Sequence, residues 1–256
     1  MRRYFSVAGG LAWRLLHSLV SNPLLFLPPM LMPIFFFTAF AGGLSAVSNV
    51  PGFDYDPGYT SFIFAFVLLQ SAAFGGVFSG FSIAADFQFG FGRRLMLATP
   101  NRSALILGYG MVAMIRAAVT LTAVTLIGLA VGMNINGGGL DVFGMYALAA
   151  IVNVTGLLFA AGIALRFRSL QATPLMQVPV FLFLFLAPVY VPRDLLGGWV
   201  HAVAPFNPAT HVMDTIRELI AGTGSQYLAT MGIIVALLAV VFIFAMRGLR
   251  QAEAAG

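Results

Sequence analysis

No charged residue stands between Asp56 and Asp86, between Arg116 and Asp141, between Asp141 and Arg166, between Arg168 and Arg193, or between Glu218 and Arg247. Runs of that length are dominated by Leu, Ile, Val, Phe, Ala and Gly. They can bury their backbone polar groups only by forming helices that satisfy every N–H and C=O internally, the condition that a bilayer imposes. About 20 such residues cross roughly 30 Å of hydrocarbon. With 60% hydrophobic and 8% charged residues over 256 positions, the chain lies far from soluble composition, in which about a quarter of residues are charged. The expected fold is therefore all-α and polytopic, a single transmembrane domain.

Six spans are expected, at residues 24–44, 59–85, 105–133, 142–165, 170–191 and 227–246. An amphipathic helix over 3–21 is expected to precede them. There Arg3, Arg14, His17 and Ser18 share one side, suited to headgroups and water, while Trp13, Leu15, Leu16 and Leu19 occupy the other. A plain N-terminal anchor is the simpler reading. The basic start lacks the compact apolar region and small-residue cleavage site of a removed signal peptide. Pro28, Pro29 and Pro33 in the first span, and Pro174, Pro179 and Pro188 in the fifth, are expected to bend or interrupt those helices, because proline removes a donor and crowds the preceding turn. Gly75, Gly76 and Gly80 offer a surface on which another helix can approach closely.

The arginines orient this arrangement. All 13 basic residues are Arg. With both ends on the same side, ten of them fall in inner segments against Asp86 and Glu253, and two, Arg193 and Arg217, fall in outer segments against six acids. Such a bias places both termini in the cytoplasm. Arg116 remains inside the third span. An intramembrane arginine is costly and so points to function; snorkelling to an interface or a structural ion pair competes with contact to a substrate.

Two segments between spans are patterned. Residues 86–104 form the longest inner crossing, with Arg93, Arg94 and Arg102 among apolar residues. Residues 192–226 are too polar to span but carry helix signals: Asn207 as a cap, Pro208 at the first position and Gly222 at the end. Val212, Ile216, Leu219 and Ile220 share one face of that helix, and His211, Asp214 and Glu218 another, as in an amphipathic helix at or dipping into the outer leaflet. His211 and Asp214 make a weak pair of metal ligands.

Several chemistries lack their residues. Without Lys there is no Walker A motif, and without Cys there is neither a disulfide framework nor a Cys-ligated metal. No HExxH occurs. Ser79 has no histidine within a predicted span to activate it. The basic residues are spread by topology and do not cluster on a soluble domain, so nucleic-acid binding is not expected. The dissimilar halves show no inverted repeat of the carrier kind.

The inner crossing, through Asp86, Gly90, Arg94, Thr99, Pro100 and Arg102, resembles that of type 2 ABC exporter permeases, especially the daunorubicin-resistance group. The outer segment is similar as well, through Pro192, Trp199, Asn207, Pro208, Thr210, Arg217 and Gly222. Arg93 departs from the family pattern, which has an acidic residue there. The resemblance implies a dimer of permeases, with a second copy or a homologue, bound to ATP-binding cassette subunits that carry ATP and Mg, and exporting lipids, drugs or glycans across the cell membrane. No cofactor and no catalytic residue is then expected on this chain. Coupling to the ATPase would fall to the inner crossing, through Asp86, Phe89, Gly90, Phe91, Arg94, Leu95, Leu97, Pro100 and Arg102. Trp199, Asn207, Pro208 and Arg217 would mark the outer segment. An ATP-independent carrier or a structural membrane subunit is the alternative, and a basic loop that only fixes orientation is the simpler reading of the crossing.

Overall fold

The computed structural model describes residues 2–22, 27–99 and 101–254. Within them the fold is all-helical: α1 (Arg2–Ser21), α2 (Leu27–Gly43), α3 (Gly58–Gln88), α4 (Phe91–Ala98), α5 (Ser103–Ala130), α6 (Gly139–Phe167), α7 (Thr173–Phe185), α8 (Gly198–Val203), α9 (Pro208–Ala221) and α10 (Tyr227–Ala254). Leu24, at the start of the expected first span, and Pro100, among the expected coupling residues, lie outside the described residues.

Helices α3, α5, α6 and α10 run for 31, 28, 29 and 28 residues. At about 1.5 Å per residue each exceeds the hydrocarbon thickness. Thus four of the expected six spans are long and apolar enough to cross a membrane. The other two, α2 and α7, are free of charge but only 17 and 13 residues long. Pro33 and Pro179 lie inside them. Helix α7 stops at Phe185, short of the expected Val191, three residues before Pro188, which has no N–H to continue the ladder.

Helix α3 is the centre of the bundle, buried over 89% of its most apolar window against 17% for the peripheral α10. The small-residue surface on α3 meets α6. A Cβ added at Gly75 would stand 2.7 Å from Asn153 Nδ2, Gly76 abuts the Asn153 and Leu157 backbones, and Gly80 abuts Ala160. From the other side, a Cβ at Gly156 would stand 2.6 Å from the Ala73 carbonyl oxygen. Asn153 donates across the seam to the Ala72 carbonyl at 3.0 Å. In lipid, apolar side chains gain little by leaving one hydrocarbon for another, so close backbone approach of this kind supplies the packing energy. Gly248 on α10 meets Gly162 on α6 in the same way.

Helix α1 packs one face on the bundle. Ala8, Leu11 and Ala12 are buried against α5, where Gly108 leaves room for the Ala8 backbone. Phe5, Trp13 and Val20 stay exposed, and Arg14, with 39% of its side chain exposed, reaches across to α3.

Both ends of the chain gather at the α4 end of the bundle. Ser103 donates to the Tyr4 hydroxyl, and Arg102 pairs with Glu253 at 3.6 Å. The turn from α6 to α7 joins them: Arg168 donates to the Ala252 carbonyl at 2.8 Å, and the Leu170 N–H donates to Gln88 Oε1 at 2.7 Å.

Candidate functional site

The inner crossing is a short helix hung between two long ones. Helix α3 ends at Gln88, and the chain reverses at Gly90, whose φ of 82° lies in the left-handed region that glycine adopts without strain. Gly92 then packs on the Phe87 ring, where a Cβ would stand 2.8 Å from Cγ. Helix α4 follows with two sides. Met96 is buried, Phe91 and Leu95 pack partly against the bundle, and Arg93, Arg94 and Leu97 project outward, as does Phe89 in the turn before the helix. Phe89 and Leu97 are 75% and 71% exposed. Arg102 closes the segment, donating from Nε to the Met96 carbonyl at 3.3 Å.

Asp86 faces inward. Its carboxylate accepts from Arg14 Nη2 of α1 and from the Tyr109 hydroxyl of α5, while the Arg14 guanidinium lies 3.9 Å from the centroid of the Phe91 ring of α4. Four helices therefore meet at one ion pair. The spacing of Asp86 and Arg94 along the crossing gave no hint of Arg14 or Tyr109. Arg14 was legible only as one of several polar residues on its helix, and Tyr109 carried no signal.

Beyond this junction, a cavity of about 670 Å³ extends between α1, α2, α3, α5 and α7. Arg116 reaches its wall. Its guanidinium is buried and, among the described residues, meets no carboxylate: Nη2 donates to the Gly75 carbonyl at 2.7 Å and to Ser79 Oγ at 2.8 Å. Ser79 is thus the acceptor for an arginine on a neighbouring helix.

At the opposite end, α9 forms as the sequence reads. Asn207 Oδ1 accepts from the Ala209 N–H at 3.0 Å, Pro208 follows, and Gly222 terminates the helix at φ 81°. Val212, Ile216, Leu219 and Ile220 are buried, packed on α3 and α6 and not on lipid. Asn207 Nδ2 also donates to the Phe183 carbonyl, and a His211 ring nitrogen bonds the Pro205 carbonyl at 2.8 Å. Trp199 remains largely exposed on α8.

Arg217, read from sequence as an outer polar residue, is buried. It donates to the Phe62, Pro188 and Val189 carbonyls and to Asp214 at 3.2 Å, and it lies 3.5 Å from the Phe62 ring centroid. Its own carbonyl accepts from Tyr55. Burial pulls the guanidinium down to about 10, opposed by Asp214, so it stays charged at neutral pH. Burial raises the Asp214 carboxyl, and Arg217 opposes that shift.

The geometry is that of a helical bundle closed at one end by the buried face of α9 and carrying the short two-sided α4 at the other. A family profile described as ABC-2 type transporter matches residues 9–221. The chain is 26% identical over 215 residues to the daunorubicin resistance ABC transporter permease protein DrrB1 of Streptomyces coeruleorubidus, covering 82% of this chain and 74% of that one. It is 23% identical to ycf38 of Pyropia yezoensis, a transport permease by name, over 80% of this chain and 71% of the relative. The corresponding protein of Porphyra purpurea is 22% identical over 83% and 73%.

Proposed function

Because the chain belongs to the ABC-2 type transporter family, we propose that it is the permease of an exporter whose α4 receives the motion of an ATP-binding cassette subunit. Permeases of this family are non-catalytic membrane subunits, and ATP is bound on a separate subunit. On this reading two permease copies, or this chain and a homologue, pair with two such subunits, each carrying ATP and Mg. The chain is a multi-pass membrane protein. In the six-span arrangement α2 and α7 also cross, helped by tilt or by local thinning of the bilayer around short helices. The arginine-rich end, with both termini, then faces the cytoplasm. The cargo is a hydrophobic or amphipathic molecule of the lipid, drug or glycan kind, in keeping with the resistance function in the name of one relative.

One observation carries this reading. The exposed Phe89 and Leu97 are mounted on a segment whose root, Asp86, is tied to α1 and α5. A partner that grips α4 therefore pulls on α1, α3 and α5 together. Exposed ion pairs through Arg93 or Arg94 contribute only about 0–1 kcal/mol, so the apolar pair dominates docking. The double variant F89A/L97A should weaken ATPase binding by about a hundredfold, seen as lost recovery in a mild-detergent pull-down, since two buried large side chains contribute roughly 3 kcal/mol. Permease abundance in the membrane should stay the same. Undiminished recovery together with undiminished transport would remove α4 from the coupling path.

A further inference from the structure

The cavity behind the Arg14–Asp86 junction has three charged groups on its wall, Arg14, Asp86 and Arg116. The first two neutralise each other. Arg116 is left as the uncompensated charge, 7% exposed, with both of its hydrogen bonds among the described residues made by Nη2 and with Nε unpartnered. A second wall residue repeats the pattern: Gln70 is 1% exposed and its Oε1 has no donor. Buried polar groups left in this state are rare, because each forgoes its hydration without compensation. Nε and Oε1 are sealed from the cavity, but Nη1 of Arg116 and Nε2 of Gln70 are not, and they too make no hydrogen bond among the described residues. One kind of occupant relieves both, an anion on the guanidinium joined to an acceptor oxygen for the amide nitrogen.

Spacing argues for more than a small ion. Arg116 grips α3 at Gly75 and Ser79, which lie roughly 8–13 Å along the helix from Gln70 at about 1.5 Å per residue. Between and beside them the wall is aromatic, with Phe74, Phe78 and Phe181. The volume of about 670 Å³ lies in the range of small-molecule sites. We propose that this cavity binds an amphiphile with an anionic headgroup, its phosphate or carboxylate resting on Arg116 and its apolar part against the phenylalanines. Binding of this class stands whether the molecule is exported or retained.

The test uses the full chain in phosphatidylcholine nanodiscs, titrated with lysophosphatidic acid, lysophosphatidylcholine and inorganic phosphate. Lysophosphatidic acid should bind at least about tenfold more tightly than lysophosphatidylcholine, the scale of one charge-assisted hydrogen bond. Arg116→Gln should abolish that preference and Arg116→Lys should retain most of it. Equal affinity for the two lipids, or a preference unchanged in folded Arg116→Gln, overturns the anion assignment. Inorganic phosphate competing at the same concentration as lysophosphatidic acid overturns the amphiphile and leaves a small-anion site. Should Arg116→Gln fail to fold, Phe78→Trp narrows the cavity without touching the contacts of Arg116. It should weaken lysophosphatidic acid binding by about tenfold, and unchanged binding would overturn the proposal.

Discussion

Arg217 in α9 and Arg116 in α5 are buried to nearly the same depth, yet their surroundings oppose each other. Arg217 has three backbone carbonyls, a carboxylate and an aromatic face around one guanidinium. Arg116 has one carbonyl and one hydroxyl, no carboxylate among the described residues, and a cavity on its remaining side. Burial alone therefore says little about what an arginine does. A fully coordinated guanidinium acts as a fastener, here joining α9 to the start of α3 and to the chain leaving α7. An under-coordinated one at a cavity wall retains the capacity to coordinate something else.

Removing Arg217 should have the largest effect. Arg217→Ala strands the Phe62, Pro188 and Val189 carbonyls and opens a hole under α9, so a loss of about 3–5 kcal/mol is expected. The readout is folded yield and thermal unfolding in detergent, and a well-folded Arg217→Ala protein would erase the contrast between the two residues.

Arg116→Ala should cost less, about 1–3 kcal/mol, because water entering the cavity can solvate Ser79 and the Gly75 carbonyl after truncation. Comparing unfolding midpoints of the two alanine variants sharpens the distinction. An equal loss in both would mean that Arg116 is also principally a fastener.

Asp214→Asn should have the smallest effect, within about 1 kcal/mol. Asp214 keeps about a third of its side chain exposed, and the carbonyls hold Arg217 without it. The sign agrees: burial raises the folded-state carboxyl, so ionisation is disfavoured by folding, and a neutral isostere relieves that cost while giving up the pair. A loss as large as that of Arg217→Ala would show that the carboxylate, and not the carbonyls, holds α9.

What was legible in the sequence was local in origin. The runs that form α3, α5, α6 and α10 needed only length and absence of charge. The cap, first position and terminator of α9, Asn207, Pro208 and Gly222, satisfy one another within a single helix, so their residue types suffice to identify them. Gly75, Gly76 and Gly80 announced a close neighbour but not that it would be α6. Other features depended on residues far apart in the chain. Arg14 finds Asp86 across 72 positions, and Arg217 finds Phe62 across 155, so no periodicity within either helix records the partner. The apolar run around α7 is longer than the helix it forms, since Pro188 ends the hydrogen-bond ladder without changing the hydrophobicity of the run. Sequence by itself determined the solvent this protein requires, because hydrophobicity and charge act on each segment independently. Tertiary structure decided which buried charges are satisfied, because a guanidinium is coordinated by whatever the packing of distant helices brings within 3 Å or so of it.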